Sequence, residues 1–171
     1  PTRRSPDLGR RRSRNYNQPM ASDGTDKPAS TLGEFGLIER LAKVLSESAE
    51  DGSGVPGLVL DIGDDCAAVR RGSVTDVYTT DTMVDGVHFC TGQISCRDLG
   101  WKSMAVNLSD IASMGARPVM SLVTLGLTGD ESVKDLEELY RGIADITNEF
   151  GGAVAGGDIV RSPALFITVA M

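Results

Sequence analysis

The sequence predicts an α+β domain, a mixed β-sheet with helices packed on one face. Three observations carry this. Apolar residues recur at helical spacing in three separate stretches. Short β-branched or apolar runs lie between them, bounded by Gly, Pro and Asp. After the first helix these segments follow the order β-β-β-α-β-α-β-β, which departs from strict βα alternation.

Leu37, Ile38, Leu41, Val44 and Leu45 predict an amphipathic helix over 33–48. Residues 51–57 are a Gly/Pro/Ser loop. Leu58–Asp61 and Ala67–Val69 read as short strands flanking a turn at Gly63, Asp64 and Asp65. Val77–Val84 is a β-branched run and reads as one longer strand. Ser95 or Ser103 can cap the next helix, which runs to Met114. Gly115 and Pro118 then stop it. Val119–Leu127 is a strand. Val133, Leu136, Tyr140, Ile143, Thr147 and Phe150 mark a third helix, ended by Gly151 and Gly152. Ala153–Ala155 and Leu165–Met171 are the last two strands.

Charge divides the chain. Residues 1–30 hold seven basic and three acidic side chains with almost no apolar content, and they predict a disordered basic tail. Residues 31–171 hold ten basic and 21 acidic side chains, enough chain for one core and one domain. The net charge of −7 argues against a nucleic-acid partner bound through a general basic field. No apolar run has the length of a membrane helix. Cys66, Cys90 and Cys96 have neither disulfide-framework nor zinc spacing, and a cytoplasmic setting is expected.

The informative feature is where Asp falls. Asp61, Asp64, Asp65, Asp81, Asp85, Asp110 and Asp158 sit at strand ends or beside Gly, among apolar or small residues. Carboxylates that converge without cations repel one another, and burial penalises their charge. A hard divalent cation relieves both costs, and Asp with Thr hydroxyls and water suits Mg²⁺ or Ca²⁺. The competing reading makes each Asp a turn or cap residue. In the second helix, Trp101, Met104, Ala105, Leu108, Ile111 and Ala112 form one face. Ser103, Asn107 and Asp110 form a narrow polar stripe opposite, read as the side that faces a site.

Gly151, Gly152, Gly156 and Gly157 ahead of Asp158 resemble a phosphate-approach segment, although helix–strand turns are also Gly-rich. Gly52, Gly54 and Gly57 match a dinucleotide-binding spacing by letter only, since they follow a helix and precede a strand. His88, the one histidine, follows Asp85-Gly86-Val87 beside the Asp81 strand. It reads either as a structural hydrogen-bonding residue or as a contact to a substrate phosphate.

Together these segments resemble a known family. Gly33-Glu34-Phe35, Gly63-Asp64-Asp65-Cys66-Ala67, the run Thr79 to Phe89, the run Trp101 to Ala116 and Gly156-Gly157-Asp158 are similar, in order, to thiamine-monophosphate kinases. The resemblance covers about residues 33–171. It implies ATP-dependent phosphorylation of thiamine monophosphate to thiamine diphosphate by direct in-line transfer. It also implies several Mg²⁺ ions, and a homodimer whose sheets pair into a barrel. Carried over by position, Asp65, Thr79, Thr80, Asp81, Asp110 and Asp158 are the implied metal ligands. Tyr140, Gly157 and Asp158 are implied at the ATP, and His88 at thiamine monophosphate.

Members of that family continue into a second α/β domain. Residues 31–171 are therefore expected to be an N-terminal ATP/Mg-binding and dimerisation domain, inactive without the rest. Two alternatives stay open: another ATPase of the same superfamily, and a non-catalytic metal-binding dimerisation module.

Overall fold

The computed structural model describes residues 28–49 and 54–171. Nearly all of the expected basic tail lies outside the described residues, as do positions 50–53 of the following loop. The chain divides into two units, one ending at Leu37 and one beginning at Ile38. The described part of the first holds a 3-10 turn, Ala29–Thr31, and the start of helix α1, Gly33–Ser48. This helix occupies the span its apolar spacing predicts. None of its residues is buried, and Leu41 and Leu45 are 54% and 61% exposed.

The second unit contains two sheets. Strands β1 (Leu58–Leu60), β2 (Ala67–Arg71) and β3 (Val74–Tyr78) form a small antiparallel one. Strands β4 (Thr80–Val84), β5 (Ser121–Leu127), β6 (Val154–Arg161) and β7 (Phe166–Ala170) form a mixed one, in the order β4-β7-β5-β6. Its only parallel pair is β5 with β6, joined through a helix as parallel pairs require. The helices are α2, Cys96–Ser113, and α3, Val133–Phe150.

The mixed sheet has one covered face, as predicted. Alternation places Met83, Val123, Leu125, Ile167 and Val169 on that face. They pack with Leu99 and Met104 of α2 and with Leu139, Ile143 and Ile146 of α3. The helices cross at glycines. A Cβ at Gly100 would lie 1.9 Å from the Leu139 carbonyl oxygen, and one at Gly142 would lie 1.8 Å from that of Arg97. Only glycine permits so close a backbone approach.

Three expectations need correction, and one alternative is settled. The run expected as one strand over 77–84 is two strands parted at Thr79, with β3 starting at Val74. Tyr78 pairs with Ala67 in the small sheet, whereas Thr80 pairs with Ala170 in the large one. A β-branched pattern is blind to this change of partner. The strand expected at 153–155 extends to Arg161, so Gly156, Gly157 and Asp158 lie inside β6 and not in a loop. Of the two candidate caps for α2, Ser95 is the cap, accepting the Asp98 N–H at 3.0 Å. Finally, the polar stripe of α2 is not opposite its buried face. Ser103 and Asn107 are 1% and 0% exposed, while Trp101 is 41% exposed. Both polar side chains donate within the helix. Ser103 Oγ donates to the Gly100 carbonyl and Asn107 Nδ2 to that of Ser103.

Candidate functional site

Thr79 is the junction between the two sheets. Its N–H and carbonyl both pair with Met171, at 3.0 and 2.9 Å, which fixes its backbone and buries the side chain toward α2. Its hydroxyl donates to Asp110 Oδ2 at 2.8 Å, with the Asp65 carbonyl oxygen at 3.2 Å as the alternative acceptor. One residue pair further along, Asn107 Oδ1 accepts the Asp81 N–H at 3.1 Å. One edge of α2 therefore clips the start of β4 at two points. The stripe of Ser103, Asn107 and Asp110 does face this corner, but as part of the buried ridge.

The corner is acidic and partly desolvated. Burial, foremost, and then the charges of Asp110 and Asp65 push the Asp81 carboxyl above the ordinary carboxylate range, with His88 acting in the opposite sense. Burial likewise pushes the Cys66 thiol up. Thr79 opposes that rise, while Asp110, Asp65 and Asp64 reinforce it. The side-chain carboxylates of Asp65 and Asp81 have no hydrogen-bond or ion-pair partner among the described residues. No three His, Cys, Asp or Glu side chains among the described residues close tightly enough to hold a metal ion by themselves.

Beside the corner opens a cleft of about 1060 Å³. Asp64, Asp65, Thr79 and Thr80 line it on one side, and Val119, Met120 and Leu122 form its apolar wall. Arg117 is the single cation of the lining. The sequence reading passed over it because it sits in the loop after α2, with no pattern to mark it. Thr80 follows Thr79 but points to the other face of the sheet, where its hydroxyl donates to the Val169 carbonyl.

The remaining expected residues lie elsewhere. Tyr140, Gly157 and Asp158 come together in a second, smaller groove of about 560 Å³ at β6. The sheet order puts two strands between Asp81 and Asp158, a separation of roughly 14 Å. Gly157 is required there, since a Cβ would lie 1.8 Å from the Val123 carbonyl oxygen. Asp158 Oδ1 accepts only the N–H of Ile159, at 2.9 Å. Burial pushes the Tyr140 phenol up.

Asp61, Asp64 and Asp85 behave as turn residues. Asp61 accepts the Ile62 N–H and Asp64 that of Asp65. Asp85 accepts both the N–H and the hydroxyl of Thr91, which holds its carboxyl below the usual range. The turn that follows β4 carries an exposed His88. Its Nδ1 accepts the Val84 N–H at 3.0 Å, and its carbonyl accepts from Lys102 Nζ at 3.0 Å. Lys102, the one lysine of α2, also went unassigned in the sequence reading.

Comparison with known proteins gives this geometry a family. Residues 63–171 match the family described as AIR synthase related protein, N-terminal domain. The chain is 41% identical over 113 residues to a thiamine-monophosphate kinase of Rhodopirellula baltica, covering 61% of this chain and 36% of that protein. It is 35% identical over 138 residues to one of Aquifex aeolicus, covering 81% and 41%. A solved structure of AaThiL complexed with AMPPCP and TMP superposes with a TM-score of 0.74 at 32% identity, over 85% of this chain and 43% of that one. A HypE–HypF complex shares the fold at 18% identity and a TM-score of 0.53. The chain spans about two fifths of the length of the curated relatives it matches. On the matched span and the fold together, the chain belongs to the AIR synthase related family through its N-terminal domain.

Proposed function

We propose that this chain is the ATP- and Mg²⁺-holding part of a kinase that converts thiamine monophosphate to thiamine diphosphate. The observation that carries the reading is the Thr79–Asp81–Asp110 corner, in a chain whose relatives are named thiamine-monophosphate kinases. The donor set fits the metal. It offers oxygen only, and its carboxylates have no ion-pair partner among the described residues. Mg²⁺ takes one or two carboxylates and fills its shell with water and phosphate oxygens, so it does not need the closed cage that is not found among the described residues. Divided among more than one ion, Asp65, Thr79, Asp81 and Asp110 would serve from the corner, Thr80 through its main-chain oxygen, and Asp158, roughly 14 Å away on β6, would serve a separate ion.

Bound Mg²⁺ supplies charge neutralisation across the phosphates. The chain supplies position. Thr79 donates a hydroxyl hydrogen bond to Asp110, which fixes that carboxylate. Asn107 fixes the Asp81 backbone. Tyr140 and Gly157 border the groove proposed for the nucleotide, and His88 offers a ring nitrogen to the thiamine monophosphate phosphate. An oxygen of that phosphate attacks the γ-phosphorus of ATP in line. The new P–O bond forms as the bond to the β–γ bridging oxygen breaks, leaving ADP.

A homodimer belongs to the same proposal. Every residue of β6 is exposed, and β4 and β6 are both free edges, which a partner sheet closing a barrel would cover. No helix among the described residues is long and apolar enough to cross a membrane. We place the protein in the cytoplasm with ATP, with neither nucleic acid nor membrane as a partner.

The test is Mg²⁺-dependent formation of ADP and thiamine diphosphate by the protein that carries this chain. Transfer to thiamine monophosphate supports the proposal. ADP formation with another acceptor, and none with thiamine monophosphate, would replace the substrate. Sedimentation as a monomer at micromolar concentration would remove the dimer.

A further inference from the structure

The turn after β4 is tied at more points than a connection of its length needs. Gly86 N–H donates to the Phe89 carbonyl, and the Val87 and His88 N–H groups both donate to that of Val84. Asp85 takes two hydrogen bonds from Thr91. Two further bonds concern His88 itself. Its Nδ1 accepts the Val84 N–H, and its carbonyl accepts from Lys102 Nζ. An imidazole nitrogen that accepts carries no proton. The neutral ring therefore carries its proton on Nε2, which has no protein partner among the described residues.

We propose that Lys102 is a positioning residue for His88. By donating to the His88 carbonyl, it seats the turn against α2 in the one arrangement where Nδ1 meets the Val84 N–H. The ring then presents Nε2–H outward as a fixed donor while uncharged. Such a donor suits a phosphate oxygen and needs no proton uptake before it binds. The charged groups around the ring are Asp81 on β4, Asp85 in the turn and Lys102 on α2. None of them donates to Nδ1, so the choice of nitrogen is made by the backbone.

The phosphate in question rests on the reading of His88 as a thiamine monophosphate contact. The tautomer does not, and the two are separable. As the one histidine of the chain, His88 gives a single pair of ring ¹⁵N resonances. In the neutral ring, the wild-type protein should show an unprotonated Nδ1 and a protonated Nε2. Lys102→Met should mix the two tautomers, and Lys102→Arg, which keeps a donor, should restore the single one. Amide spectra of all three proteins confirm that the variants fold. Addition of thiamine monophosphate should move the Nε2–H signal, with affinity about two- to tenfold weaker in Lys102→Met, the loss of one hydrogen bond. A proton on Nδ1 in the wild type, or an unchanged tautomer in Lys102→Met, overturns the positioning role. An Nε2–H signal that has the predicted tautomer but ignores thiamine monophosphate overturns the substrate contact and leaves the role of Lys102 standing.

Discussion

Asp81 and Asp158 sit on opposite edge strands of the same sheet, and the two edges are built differently. At the β4 edge, side chains of α2 hold the strand. Asn107 takes the Asp81 N–H, Asp110 takes the Thr79 hydroxyl, and Lys102 reaches the turn beyond. At the β6 edge no helix side chain among the described residues does this work. Every residue of β6 is exposed, Asp158 bonds only its neighbour's N–H, and the strand is placed by the close fit of Gly157 on Val123. The first edge is preorganised within the chain. The second is shaped by backbone packing and leaves its outer side exposed.

That contrast can be broken from either side. The largest effect belongs to Gly142→Ala. The added methyl meets the Arg97 carbonyl and pushes α2 away from α3 and from its clips on β4. Denaturant unfolding should show a loss of about 3 kcal/mol. Gly157→Ala should instead loosen β6, and hydrogen exchange should rise there while β4 stays protected. Equal exchange at both edges would mean the two are not independently held.

Asn107→Ala tests the clip itself. It removes the acceptor of the Asp81 N–H at a fully buried position and should cost about 1–3 kcal/mol. A change near zero would show that β4 holds its place through β7 alone.

A smaller effect is expected at Asp81, and its sign is specific. Burial and the charges of Asp110 and Asp65 raise the folded-state pKa above that of the unfolded chain. The folded protein therefore binds this proton more tightly, and the group's contribution turns unfavourable as pH rises through that window. Without metal, Asp81→Asn should be at least as stable as wild type at neutral pH. The two proteins should converge as the solution is acidified. A loss of stability at neutral pH that persists in acid would contradict the acidic-corner account.

Much of this was legible in the residues. Periodicity placed the three α-helices of the described residues, and the Gly and Asp pattern marked the segments that form the candidate site. Two things were not legible, for one reason: pairing partners do not show in local pattern. The run from Val77 to Val84 looks like one strand because every residue in it suits a strand. The break at Thr79 comes from Met171, which is nearly a hundred positions away. The Gly-rich stretch before Asp158 resembles a phosphate-approach segment, but Gly156 and Gly157 lie within a strand paired with β5, and Gly157 is required there by its close approach to Val123. The α2 stripe was read as exposed to a site because Ser and Asn are polar. Ser103 returns its hydroxyl to the helix, and Asn107 donates to the helix and accepts from the Asp81 N–H, so both can be buried in the core ridge. Lys102 and Arg117 were missed because a single cation beside a helix or loop looks like ordinary surface.

The central claim is that the Thr79–Asp81–Asp110 corner holds Mg²⁺ with a nucleotide's phosphates. Thermal melting of the wild-type protein and Asp110→Asn, each with and without Mg²⁺ and AMPPCP, tests it most directly. A ligand that binds only the folded state raises stability by mass action, by about 2.7 kcal/mol at a hundred times its dissociation constant. The account predicts that wild type shifts upward only when both Mg²⁺ and AMPPCP are present, and that Asp110→Asn loses most of that shift. Equal shifts in the two proteins would contradict it, and would return Asp110 to the role of a residue that merely caps the Thr79 hydroxyl.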